Sequence, residues 1–316
     1  MRIGKITIGT LDEWPLTPGT VTSWRPTAAS AAKVAAAPVS PVPVSYMQGQ
    51  HLRNYTERTA AGSNFSRQII GGCEAVGECD IAAMNQALNA YLRRHDTFRS
   101  WFSDAGGGHF IRHAVENPDD IEFEPVDHGY LTVDEIHRLV IDIPSPLEWG
   151  CFTFGVVQNE GRFTFFAAMD HVHGDATLIG TTMLEANGMY SALSTGSEEI
   201  ALPDAGSFDD FCVREREATS ALTVDSPGVR AWIEFAENNR DGFPEFPLPL
   251  GNPKESTRSV MTHEPLMDPA QTERFEAACA GAGARFVGGL FACLALVEHE
   301  FTGALTYYGL TQIGRA

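Results

Sequence analysis

Ile81, Met84, Leu88, Tyr91 and Leu92 fall on a single stripe with a period of three to four residues, the mark of a helix that buries one face. Asp80, immediately before the stripe, is placed to cap it. The same periodicity predicts helices from a Ser45 cap through about Ala61, over Thr132–Ile141 and over Thr177–Leu193. Thr132 and Glu135 stand at capping-box spacing. Later helices are expected at Phe208–Leu222, Val229–Asn239, Pro269–Gly281 and Phe286–Phe301. Strands are expected at Phe65–Val76, Arg99–Phe102, His109–His113, Cys151–Gln158 and Arg162–Met169. The last two flank Asn159-Glu160-Gly161 in the manner of a hairpin. Residues 27–44, rich in Ala, Pro, Val and Ser, predict an extended lead-in, and the Pro-broken Phe243–Leu250 predicts an extended connector. Irregular alternation of strands and helices implies layered α/β or α+β architecture.

Composition narrows the setting more than the fold. A chain of 316 residues can bury a large core and is expected to form two domains or subdomains. A net charge of −19 argues against a nucleic-acid partner and against adsorption to anionic lipid. Six cysteines without a C-x-x-C pair suit reduced thiols. Met1–Ile6 carries no apolar leader region, and no run approaches the ~18 apolar residues of a membrane span. The expected location is the cytoplasm, including a peripheral position at the inner face of the plasma membrane.

Candidate chemistry concentrates in Asp170-His171-Val172-His173-Gly174-Asp175, where the Arg162–Met169 run ends. Two imidazoles and two carboxylates within this stretch suit either a general base with its support or a metal site. The His-x-His-x-Asp spacing fits the start of a binuclear zinc-hydrolase motif, with Ala176 where a further His would follow. Only His263 and His299 follow as later imidazoles. The bland assignments stand beside these. His173 reads as a loop filler, and Ser45 and Gln48 as helix-start and packing residues. Phe163, Phe165 and Phe166 read as core strand, and the acidic runs Asp119–Glu124 and Asp209–Glu217 as solvated faces.

Three segments, in order, resemble the motifs of one superfamily. Ser45-Tyr46-Met47-Gln48 is similar to a Ser-x-x-Gln helix start, and Arg94-His95-Asp96-Thr97-Phe98-Arg99-Ser100-Trp101-Phe102 to R-H-[ED]-x-[LF]-R-x-x-F. Asp170-His171-Val172-His173-Gly174-Asp175-Ala176 resembles the active-site motif H-H-x-x-x-D-G. Together they resemble the condensation-domain and chloramphenicol-acetyltransferase-like superfamily. Met1–Trp24 and the Pro-rich segment resemble its polyketide-synthase-associated members from mycobacteria, which acylate trehalose glycolipids. Asp170 replaces the motif's first His, and Ala176 its final Gly.

The resemblance implies an α/β fold, a chloramphenicol-acetyltransferase-like two-layer sandwich with a complete first subdomain and a partial second. Boundaries are expected at a lead-in over 1–44, an acyltransferase subdomain over 45–215 and a partial subdomain over 216–316. Family members run further than Ala316, so a truncated member is expected, with exposed apolar surface on the second part. By the motif, His171 is the catalytic base, and Asp175 supports the loop by pairing with Arg99; Asp170 is a further supporting residue. The implied reaction moves an acyl chain from acyl-CoA, or from an acyl carrier protein or polyketide synthase, to a hydroxyl of a glycolipid or sugar such as trehalose. The thioester is a substrate, and no metal or organic cofactor is implied. A second class is a non-catalytic remnant that binds acyl carrier or lipid, with Arg53, Arg58, Arg93 and Arg94 offering a basic face.

Overall fold

The structure, a computed structural model, describes residues 2–3, 6–63, 67–196, 202–238, 246, 248–249, 251 and 264–309. Contacts divide the chain into two units, one of Leu11–Ala221 and one of Met1–Thr10 with Leu222–Ala316. The elements in chain order are β1 (Arg2–Ile3), β2 (Ile6–Thr7), β3 (Gly19–Pro26), α1 (Ala28–Ala35), α2 (Tyr46–Ala60) and β4 (Gln68–Val76). Then come α3 (Ile81–Arg94), β5 (Ser100–Gly106), β6 (His109–Ala114), β7 (Phe123–Leu131), α4 (Val133–Ile141), β8 (Phe152–Asn159) and β9 (Arg162–Asp170). The helices α5 (Ala176–Thr195), α6 (Phe208–Ser220), α7 (Pro227–Asn238), α8 (Pro269–Gly281) and α9 (Phe286–Thr302) follow.

The larger unit is built on an antiparallel five-stranded sheet in the order β4-β9-β8-β3-β7. Its centre is the predicted β8–β9 hairpin, which turns through Gly161 at φ 71°. Side chains alternate across a strand, and β9 uses both faces. Phe163, Phe165, Ala167 and Met169 join the core beneath α3 and α5. Phe166 and Ala168 join a second cluster with Ile136 and Val140 of α4. A strand covered on both sides reads as a continuous apolar run, which is why Phe163–Met169 does. The β5–β6 hairpin forms a separate two-stranded ladder.

The expected helices start where their caps stand. Asp80 accepts from the Ala83 amide at the head of α3, and Ser45–Gln48 and Thr132–Glu135 form full capping boxes on α2 and α4. The N-terminal expectation needs correction. Residues 1–44 are not an extended lead-in, because β3 pairs with both β8 and β7 and buries Val21 and Trp24. Thr27 then caps α1, accepting from the Ser30 amide. A register shift between Thr20 and Thr22 breaks the alternation that marks a strand. β7 was also missed: it is an edge strand interrupted by Pro125 and Gly129, with Phe123 its one buried side chain. Phe65 and Ser66 lie outside the described residues, and the strand expected there is seen from Gln68. Of Phe243–Leu250, only residues 246, 248 and 249 are described.

In the smaller unit, Asp268 and Gln271 form a capping box at the head of α8. Phe275 of α8 meets Phe286 of α9 edge-on at 5.3 Å. Trp232, Leu296 and Phe301 are exposed. Among the described residues no single helix is long and apolar enough to cross a membrane; α8 and α9, bent by 94°, pass that test only as a pair, by length and composition.

Gly155 of β8 faces Phe166 of β9, and a Cβ there would lie 2.2 Å from the Phe166 ring. The ring is fully buried and meets Trp14 edge-on, so it has little room to retreat. Gly155→Ala is therefore expected to destabilise the chain by about 1–3 kcal/mol, measured by denaturant unfolding. An unchanged midpoint would show that the ring is free to move.

Candidate active site

β9 ends at Asp170 and α5 begins at Ala176, leaving the five residues His171 to Asp175 between them. The Asp170 amide donates to the Cys151 carbonyl (2.9 Å), and the His173 amide donates back to the Asp170 carbonyl (3.0 Å). Side chains within the turn divide by destination. Val172 enters a buried cluster with Leu52, Phe102 and Cys151. His173 is buried between the rings of Phe98 and Phe152, at centroid distances of 5.9 and 5.4 Å. His171 is exposed.

Backbone groups around His171 are held by several elements. Its own amide donates to the Arg67 carbonyl at 3.0 Å. Gln48 Nε2 of α2 donates to the Val172 carbonyl at 3.0 Å, and Thr97 Oγ1 donates to the His173 carbonyl at 3.0 Å. Asp170, with its side chain only 5% exposed, uses Oδ1 twice, accepting from the Val172 amide (2.8 Å) and from His51 Nε2 (2.7 Å). Gly174 is required by close approach: a Cβ would meet Leu178 of α5 at 2.4 Å. Ala176 is the first residue of α5, a right-handed position that needs no glycine.

The expected Asp175–Arg99 pair is absent. Asp175 caps α5, its Oδ1 accepting from the Thr177 and Leu178 amides at 2.9 and 3.1 Å. Arg99 Nη1 instead donates to the Glu116 carbonyl at 3.1 Å. An N-terminal carboxylate is satisfied by the helix itself, so the loop gains its support without a cation. Around Arg99 the second motif acts as a joint. Arg94 and His95 both reach Glu185 of α5, at 3.0 and 2.9 Å. Asp96 accepts from Ser207 Oγ and from the Phe208 and Asp209 amides at the head of α6. Asp209 is not a solvated acid either: it pairs with buried Arg112, and burial raises its pKa while Arg112 opposes the rise.

Electrostatics separate the two turn imidazoles. Partial burial lowers the His171 pKa, and His51 adds to the lowering; Asp170 and the Gly174 backbone oppose it. Burial lowers that of His173 from 6.5 to about 4, and its Nε2 has no hydrogen-bond partner. One imidazole faces solvent, and the other is a neutral core residue. This division also counts against the zinc reading, since His173 is enclosed by aromatic rings while His171 faces out. Among the described residues no group of three or more His, Cys, Asp or Glu is arranged to hold a metal ion, and His263 lies outside them. A cavity of about 370 Å³ adjoins Asp170, lined also by Tyr55, Thr59, Ser63, Gln68 and Ile143.

No protein-family model matches the chain. Acyltransferase PapA3 of Mycobacterium tuberculosis is 51% identical over 311 residues, 98% of this chain. The 2'-acyl-2-O-sulfo-trehalose (hydroxy)phthioceranyltransferase PapA1 of the same organism is 49% identical over 311 residues. A solved structure of PapA2 acyl transferase superposes with a TM-score of 0.88 at 46% identity, covering 95% of this chain. The chain belongs to the Pap acyltransferase family. It spans 66% of the length of PapA3, 61% of that of PapA1 and 65% of the PapA2 chain. A condensation domain of the calcium-dependent antibiotic synthetase, at 20% identity and a TM-score of 0.57, shares the fold. The α/β, chloramphenicol-acetyltransferase-like fold class and the Pap resemblance of the motifs therefore stand. His51 was missed as a site residue, and Gln48, read only as a helix-start and packing residue, also holds the turn. Within this Pap chain the signal for Gln48 was the Ser-x-x-Gln motif, and His51 carried no chemical signal of its own.

Two tests follow from these assignments. As an N-cap, Asp175 tolerates Asn, whereas Asp175→Ala should cost about 1 kcal/mol in unfolding free energy. If Asn proves as damaging as Ala, a charge pair is at work. For His173, the unfolded chain binds a proton between pH 6.5 and about 4 that the folded chain refuses. Stability should therefore fall by about 3 kcal/mol as pH drops through that window. His173→Leu should abolish this part of the dependence; parallel pH curves for variant and wild type would contradict it.

Proposed function

We propose that the chain transfers an acyl group from a thioester, acyl-CoA or a carrier-protein phosphopantetheine, to a hydroxyl of a trehalose-type glycolipid, with His171 as general base. The observation that carries this reading is the exposed His171 ring on a turn whose backbone is bonded to Arg67 ahead of β4, Gln48 of α2, Thr97 and Asp170. A base must meet the incoming hydroxyl within hydrogen-bond reach, and a turn held in this way keeps the ring in place. The lowered pKa leaves the ring neutral, and so able to accept a proton, at neutral pH.

The reaction then runs as follows. A neutral nitrogen of His171 takes the proton of the acceptor hydroxyl as its oxygen attacks the thioester carbonyl. A tetrahedral oxyanion forms. Its collapse breaks the carbon–sulfur bond, and the protonated His171 returns the proton to the departing thiolate. The new ester and the free thiol leave the base neutral, with no covalent enzyme intermediate. PapA1 is named for transfer to a sulfated trehalose, which supports a trehalose-type acceptor here. The proposed setting is the cytoplasm, supported by free cysteines at all six positions.

The direct test is ester formation from acyl-CoA and trehalose, followed by mass spectrometry. His171→Ala should lower the rate about 10²–10⁴-fold, and an undiminished rate would remove the proposal. Because the base works only when neutral, the acid limb of kcat/KM should fall below the ordinary histidine value of 6.5. A limb at or above that value would contradict the assignment.

A further inference from the structure

α2 meets the turn through two residues of one face. Gln48 and His51 are three positions apart, so they lie side by side on the helix. Gln48 holds the Val172 carbonyl, and His51 Nε2 donates to Asp170 Oδ1 at 2.7 Å. The His51 side chain is 11% exposed, and its ring centroid stands 6.5 Å from that of His171 with the planes tilted by 51°. Asp170 Oδ1 simultaneously accepts from the Val172 amide. One carboxylate thus ties a second imidazole to the backbone beside the candidate base.

We propose that His51 is a positioning residue for His171: bonded to Asp170, it locks the turn and places a second proton-bearing ring against the base. The proposal rests on reading His171 as the base. The groups facing His171 are His51 from α2, Asp170 at the end of β9, Arg67 ahead of β4, and the Gly174 backbone. His51 and Arg67 resist a proton on His171, while Asp170 and Gly174 favour one. Removing the His51 imidazole therefore leaves Asp170 less opposed, and His171 should take up a proton at higher pH. The family's first motif and its active-site turn are coupled through this contact.

Two variants separate the locking role from the electrostatic one. His51→Gln keeps a side-chain N–H for Asp170 but removes the imidazole; His51→Ala removes both. In the 316-residue chain, His51→Gln should move the acid limb of kcat/KM upward and leave kcat within about threefold of wild type. His51→Ala should lower kcat roughly tenfold to a hundredfold, with a smaller change in KM. A purely structural His51 would move neither limb. The same shift is read without turnover by NMR titration of the His171 ring in ¹³C-histidine-labelled protein, assigned through His171→Ala. An upward-shifted His171 titration in His51→Gln supports the proposal even if no acyl transfer is found. An unmoved titration overturns it, as does a His51→Ala enzyme with wild-type kcat.

Discussion

A carboxylate that leaves water must be met by donors, and the one at Asp170 organises what surrounds it. Burial of an unpaired charge costs several kcal/mol, so its oxygen has to be satisfied by groups the fold can deliver. The turn supplies the Val172 amide, and α2 supplies His51. Satisfying one atom therefore fixes both the path of the chain after β9 and the position of a helix that begins more than a hundred residues earlier. With Asp170 and Val172 turned inward, His171 between them turns out. The exposure of His171 is thus a consequence of the satisfaction of its neighbour.

The sheet makes this arrangement reproducible. β9 is the strand next to the edge, held on both sides by β4 and β8 and buried on both faces by helices. A one-residue slip of such a strand would exchange its two buried sets, moving Phe166 away from Gly155 and Asp170 to the other face. Its end therefore always presents Asp170 at the same place. α5 then takes over, capped by Asp175, and closes the turn from the other side. The second motif secures the outer ring of contacts, with Thr97 on the turn, Asp96 on α6 and Arg94 with His95 on α5.

Much of this was legible in the residues, and what was not has definite causes. The β8–β9 hairpin, α3 and the capped helices carried strong periodic and capping signals, because one or both faces of each are buried within the unit. β3 was hidden by a register shift, and β7 by Pro125 and Gly129, which an edge strand admits. His171 and Asp170 stood out by motif. The His51 partner of Asp170 did not, because a hydrogen bond between them spans 119 residues and leaves no local pattern. The Asp175–Arg99 pair was carried over from the motif, and it fails because a helix N-terminus already supplies the two amides that this carboxylate needs. Partner choice for a charged side chain is decided by the nearest donors, which spacing alone does not reveal.

The central claim is that a surface turn is held as firmly as the strand and helix it joins. Amide hydrogen exchange on the native chain reads this directly, since exchange reports local opening. The amides of Val172 and His173 should exchange as slowly as those at the end of β9, because each donates to Asp170 within a buried network. Exchange of these two amides at the rate of an open surface loop would mean that Asp170 does not hold the turn, and that His171 is not held ready as a base.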